Sequence, residues 1–158
     1  MSFPFFYFLM SYLDTYLRKG EVFYLIIRPK EGFCLSEPLL DITTDILYDM
    51  NEKGYFLLFG FSVLPWEIHL VIRPDKVRDL DKIAKGIKRR ISRKVENLTL
   101  PIWKKEIEIQ IVRSRTELLS ILSKIHNIPL EKGLVKDERK YRYSSSYSAN
   151  VTDLDTLW

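Results

Sequence analysis

Apolar and polar positions change period several times along this chain, and each change predicts an element. Residues 21–28, EVFYLIIR, form a branched, apolar run closed by Pro29, which reads as a strand. Over 37–53, Leu39, Leu40, Ile46, Leu47 and Met50 recur at helical spacing, and Gly54 supplies a stop. Residues 55–64, YFLLFGFSVL, are aromatic and branched again and predict a buried strand. Pro65 and Trp66 make a short link to a further strand over 67–73, closed by Pro74. Two strands this close predict an antiparallel hairpin.

Residues 76–97 carry a stripe of Leu80, Ile83, Ala84, Ile87, Ile91 and Val95, the apolar face of a helix. From 105 to 112 the pattern alternates, with Ile107, Ile109 and Ile111 on one face of a strand and Glu106, Glu108 and Gln110 on the other. A helix follows over 114–126. Ser114 can cap it, Glu117 stands at capping-box spacing, and Leu118, Leu119, Ile121, Leu122 and Ile125 form its apolar side. Pro129 is expected to end it. From Gly133 the tail is polar and tyrosine-rich, with no clear period. The order β-α-β-β-α-β predicts an α+β, ferredoxin-like antiparallel sheet with helices on one face, followed by an extra C-terminal helix and a tail. No repeat or linker divides the chain. A single domain is expected over 1–158: an apolar N-terminal arm (1–17), a core (18–130) and a C-terminal tail (131–158).

The composition agrees with a packed domain: 158 residues, 46% hydrophobic and 29% charged, which excludes disorder and low-complexity arrays. One cysteine, Cys34, cannot form an internal disulfide, so a cytoplasmic setting is expected. The start, MSFPFFYFLMSYL, lacks the basic segment of a signal peptide, and its 13 residues are fewer than the ~20 a membrane span needs. It is expected to pack on the domain or on a second copy, which would make a homodimer; no membrane role is expected. The net charge of +4 says little by itself, but its distribution says more. Residues 82–94, KIAKGIKRRISRK, place Lys82, Lys85, Lys88, Arg89, Arg90, Arg93 and Lys94 opposite the apolar stripe with no acid among them. Like charges at i,i+4 repel, and a polyanion would relieve that repulsion and release its own counterions.

Two segments carry a resemblance. Leu64-Pro65-Trp66-Glu67-Ile68-His69-Leu70-Val71-Ile72-Arg73-Pro74 resembles the signature strand of the REP-associated, single-tyrosine (HUH-type) transposases, Met-Pro-Asn-His-hydrophobic-His-hydrophobic-hydrophobic. Residues 124–135, KIHNIPLEKGLV, resemble that family's Tyr-Ile-His-Asn-Asn-Pro-Val-Lys-Ala-Gly-Leu-Val segment. Trp103 and the Tyr141–Tyr147 run also stand where the family has counterparts, so the resemblance spans about residues 18–147. It implies a DNA partner, single-stranded or hairpin. It also implies a tyrosine on the last helix that attacks the phosphate, and a divalent metal held by two histidines at i and i+2, which share a strand face.

This chain departs from that chemistry. The first histidine position is Glu67 and only the second, His69, is kept. The nucleophile position is Lys124, which can bind a phosphate and cannot attack one as tyrosine does. Ile128 stands where a third ligand is expected. No metal is therefore the expectation, with Mg²⁺ or Mn²⁺ on Glu67 and His69 as the alternative. The reading is a transposase-like DNA binder without strand cleavage, bound through the 82–94 cations and Lys124. The alternatives are an active single-strand transposase with a rearranged site using Tyr141, Tyr143 or Tyr147, and an interaction module that dimerises through the arm.

Overall fold

The computed structural model describes residues 12–76, 79–96, 98 and 100–157. Most of the expected N-terminal arm, residues 1–11, lies outside them. Residues 12–18 are helical (α1). There follow β1 (Val22–Ile27), α2 (Glu37–Glu52), β2 (Phe56–Leu64), β3 (Glu67–Pro74), α3 (Leu80–Ser92), β4 (Glu108–Val112), α4 (Arg115–Glu131), a 3-10 turn (Glu138–Lys140) and α5 (Asp153–Leu157). The sheet order is β2-β3-β1-β4, with every neighbouring pair antiparallel. This is the expected ferredoxin-like sheet. Among the described residues no helix is long and apolar enough to cross a membrane.

Register assigns the faces. Phe61 pairs with Leu70 and Leu70 with Leu25, so these three share one face. Tyr48 of α2 meets Phe61 edge-on at 5.7 Å, which places α2 on that face, with α3 packed beside it. Gly60 pairs with Val71 on the opposite face, and there the Leu122 side chain of α4 sits against it. The sheet is thus covered by α2 and α3 on one side and by α4 on the other. This explains why β1 and β2 read as continuous apolar runs: a strand buried on both faces has no polar side to alternate with.

Gly60 is the point of closest approach, because a Cβ there would overlap the Leu122 side chain. Gly60→Ala is expected to cost about 1–3 kcal/mol through overpacking. Adding Leu122→Ala to that variant should return part of the loss; if thermal unfolding finds the double variant no better than the sum of the singles, the two residues are not in steric competition.

Three expectations differ in detail. Ile109 and Ile111 are 50% and 39% exposed, because β4 is an edge strand beyond the reach of α2 and α3. β4 begins at Glu108; upstream, Trp103 makes an isolated bridge to Pro29 and the Lys88 ammonium donates to the carbonyls of Lys104 and Lys105. α4 runs through Pro129 to Glu131, and Leu119 on it is exposed. A proline this near a helix end costs one ladder bond, and burial of Ile128 and Pro129 offsets it. The start of α4 follows expectation: Ser114 Oγ accepts from the Glu117 N–H at 3.1 Å, and the Glu117 carboxylate turns back to the Arg113 N–H at 3.0 Å.

The tail is part of the packed structure. The Val63 N–H donates to the Tyr143 carbonyl at 2.8 Å and the Ser145 N–H to the Phe61 carbonyl at 2.9 Å, so residues 143–145 cover the free edge of β2. Ser145 Oγ also receives the Phe61 N–H at 3.0 Å and lies 2.6 Å from His126 Nε2. Burial pushes the His126 imidazole below its ordinary pKa. The unfolded chain therefore takes up the proton first as pH falls. Stability supplied by neutral His126 is complete above the ordinary histidine pKa and declines as pH drops towards the lowered folded value. His126→Gln should flatten that decline in a Tm series between about pH 7 and 5; an unchanged slope would assign the pH dependence elsewhere.

Candidate functional site

The position that the signature strand marks is closed by protein groups. Glu67 and His69 project from β3 on the face that α4 covers. Pairing of β3 with β1 sets Ile26 opposite His69 and brings Tyr24, two residues earlier, onto the imidazole. The two rings stack at 5.8 Å and 25°, and Tyr24 Oη stands 2.6 Å from His69 Nδ1. With the tyrosine hydroxyl donating to Nδ1, Nε2 carries the proton and donates to Glu67. The second Glu67 oxygen accepts from Arg28 Nε at 3.1 Å, and Arg28 Nη1 reaches Glu108 at 2.8 Å. The result is a chain from Tyr24 through His69, Glu67 and Arg28 to Glu108, in which His69 is only 2% exposed.

The electrostatics follow from these bonds. The hydrogen bond from His69, then the Arg28 guanidinium, hold the Glu67 carboxyl below the usual range. Burial first, then the Glu67 and Glu108 carboxylates, push the Tyr24 hydroxyl up to about 12. Tyr24 lies beside a histidine that a carboxylate orients, the arrangement of an activated nucleophile. Its raised pKa and 4% exposure oppose that use.

The set offers a divalent ion few donors. With Nε2 donating to Glu67 and Nδ1 accepting from Tyr24, an ion would have to displace the Nε2 proton and its bond to Glu67. Arg28 and Lys124 add positive charge around the position. Ile128, at the expected third-ligand position, is buried. Among the described residues no group of three or more His, Cys, Asp or Glu could hold a metal ion.

Lys124 is placed by α4 over the same centre. Its Nζ lies 5.8 Å from the middle of the Tyr24 ring, and Lys124, Tyr24, Glu108 and Gln110 line a shallow open cavity of about 380 Å³. Two of the late tyrosines, Tyr141 and Tyr143, are elsewhere. Tyr141 is 6% exposed and its hydroxyl donates to the Val63 carbonyl at 2.7 Å; Tyr143 is 7% exposed and stacks edge-on with it. Burial raises the pKa of both hydroxyls. Neither is presented to the His69 position. Sequence reasoning overlooked Tyr24 and Arg28, because both lie in the first strand, far from the motifs; only the β1–β3 register brings them in.

The basic helix is split in use. Lys85 pairs with Asp81 at 2.9 Å and Lys82 with Asp79 at 3.9 Å. Lys88 serves the carbonyls that precede β4, and Arg90 lies over the Tyr55 ring. Arg89, Arg93 and Lys94 remain exposed, with no side-chain partner among the described residues. Trp103 donates to the Lys88 carbonyl at 3.0 Å and to Ser92 Oγ at 2.8 Å, which ties the end of α3 to the segment before β4.

No protein-family profile and no curated protein matches this sequence. Solved structures do. One is a REP-associated tyrosine transposase bound to a REP hairpin, with 16% identity and a TM-score of 0.68 over 88% of this chain and 82% of that one. Another is a candidate transposase from Deinococcus radiodurans R1, with 25% identity and a TM-score of 0.50 over 67% of this chain and 88% of that one. The element order, the sheet topology and these two likenesses agree: the chain is built on the fold of the REP-associated tyrosine transposases.

Proposed function

We propose that this protein binds hairpin or single-stranded DNA and does not cut it. The observation that carries the reading is the group that α4 presents to the Tyr24–His69 pair: Lys124, an ammonium that attracts a phosphate and forms no covalent link to it as a tyrosine does. The closed Glu67–His69–Arg28 chain supports a metal-free site. The run of seven cations over residues 82–94 supports a polyanionic partner, and one neighbour in fold holds a REP hairpin.

An electrophoretic shift against a hairpin and against a scrambled single strand tests binding. Retardation that weakens with added salt is expected; no retardation of either strand at low salt overturns the proposal. Cleavage is tested by incubation with Mg²⁺ or Mn²⁺, where neither a nick nor a covalent protein–DNA band is expected. A covalent band abolished by Tyr24→Phe would identify Tyr24 as the nucleophile and refute a non-cutting role.

A further inference from the structure

Lys124 differs from the other charged groups around the signature strand. Arg28 is held by Glu67 and Glu108, and Glu67 also takes the His69 N–H. Lys124 is exposed and has neither a hydrogen bond nor an ion pair among the described residues; the Tyr24 ring is what it lies over. It opens onto the cavity of about 380 Å³ together with Glu108. The Glu108 side chain is 63% exposed and gives one oxygen to Arg28, which leaves the other facing solvent. An amine and a carboxylate that no internal bond consumes thus share one recess, with Tyr24, Ile26 and Gln110 as its walls.

The electrophile that suits an amine is a carbonyl carbon, with which it forms an imine; phosphorus is a poor target for it. Intact DNA has no aldehyde. A deoxyribose that has lost its base has one: its ring opens to an aldehyde at C1′, on the same sugar whose C3′ carries the next phosphate ester. Lacking a base, that sugar also fits a shallow recess. We infer that this recess takes an abasic deoxyribose of the bound DNA, and that Lys124 and Glu108 break the strand there by β-elimination. The Lys124 nitrogen, having lent its proton to water, adds to C1′; water leaves, and the returned proton gives a protonated imine. Glu108 takes a proton from C2′. The electron pair left behind forms the C2′–C3′ double bond, and the C3′–O bond breaks with the phosphate as leaving group. Glu108 releases its proton to solvent, and water hydrolyses the imine and restores Lys124. The water released in the first step is matched by the water used in the last, so the sequence needs no metal, oxidant or reductant. Holding the aldehyde beside the amine supplies the rate. The inference rests on the DNA-binding reading above and concerns damaged strands alone, since an intact strand offers no carbonyl and stays uncut.

The test incubates the full chain, in EDTA, with a hairpin whose single-stranded flank holds one abasic site and with the same hairpin intact. Sodium cyanoborohydride is added to reduce any imine to a stable amine. A covalent protein–DNA band is expected with the abasic hairpin only, and mass spectrometry should map the adduct to Lys124. Lys124→Arg, assayed at a protein concentration that saturates the hairpin, should lose the band, because a guanidinium forms no imine under these conditions. Without the reductant, wild type should incise the abasic strand. Glu108→Gln should keep the trapped band and slow incision about a hundredfold; incision at the wild-type rate would remove Glu108 from the mechanism. No trapped band from protein that retards the abasic hairpin, or a band as strong in Lys124→Arg as in wild type, would overturn the inference and leave the binding reading standing. If wild type retards neither hairpin at low salt, the DNA-binding reading itself fails. Lys124 and Glu108 are both exposed, so a Tm near the wild-type value is expected for each variant and separates lost chemistry from lost folding.

Discussion

Reversing three charges at the end of α3 and just beyond it, with Arg89→Glu, Arg93→Glu and Lys94→Glu together, is expected to lower affinity for a hairpin oligonucleotide by about a hundredfold or more near 0.1 M salt. These three side chains are exposed and have no side-chain partner among the described residues, so their loss removes no internal bond. Each phosphate contact adds about 0.9 to the slope of log affinity against log salt, and losing three should flatten that slope by nearly 3. The flattening is the more telling measurement, because a general loss of folding would lower affinity without this signature. Stability should fall by no more than about 1 kcal/mol: the acids at 89 and 93 repel one another as the cations did and sit unfavourably at a helix C-terminus, but no internal bond is lost. An unchanged slope would move the DNA to another face. Lys88 is unsuited to this experiment: its ammonium holds the carbonyls of Lys104 and Lys105, and burial lowers its pKa.

His69→Ala should be the most damaging single change at the signature strand, at about 3 kcal/mol. For a domain of this size that is a drop in Tm of about 6–12 °C. Three losses combine. A side chain only 2% exposed leaves a cavity, the Tyr24 hydroxyl loses its acceptor, and Glu67 loses its closest donor. Tyr24→Phe removes one bond and keeps the packing, so about 1 kcal/mol is expected. Glu67→Gln addresses the charge. The Glu67 carboxyl is held low, so its contribution is present above the ordinary carboxylate pKa and is lost as pH falls through the lowered value. The variant should therefore lose less stability than wild type on acidification. Thermal scans with Mn²⁺ should leave wild-type Tm unchanged; a rise that disappears in His69→Ala would reveal a metal site after all.

Much of the fold was legible because burial acts locally on residue type. β1, β2 and β3 are branched and aromatic, and each is bounded by proline, glycine or a short turn. The stripe of α3 stayed buried residue by residue from Leu80 to Ile91. Legibility failed where an element's surroundings, and not its own period, set exposure. Ile109 and Ile111 alternate as a buried face should, yet they stand on the face of an edge strand that α2 and α3 do not cover. Pro129 carries a helix-stop signal, yet one more turn buries Ile128 and Pro129 against the sheet. The polar tail shows no period because it is held by single bonds to β2, through residues 143–145 and through Tyr141.

The candidate site divides in the same way. That Glu67, Lys124 and Ile128 stand at positions of the family's chemistry is a property of order and spacing, and the sequence alone determined it. Sequence also determined the run of cations over 82–94, since helical period alone puts them opposite the apolar stripe. Only the tertiary structure decided what fills the place where a metal would sit. Residues 24 and 28, 67 and 69, and 108 come from three segments far apart in the chain, and the antiparallel register of β1 with β3 and β4 closes them into one hydrogen-bonded chain. It also decided that Tyr141 and Tyr143 are buried structural groups, and that Tyr55 and Arg89 share a cavity. Side-chain period is local, but pairing partners are set by how the strands and helices meet, and the chemistry available to this protein depends on those meetings.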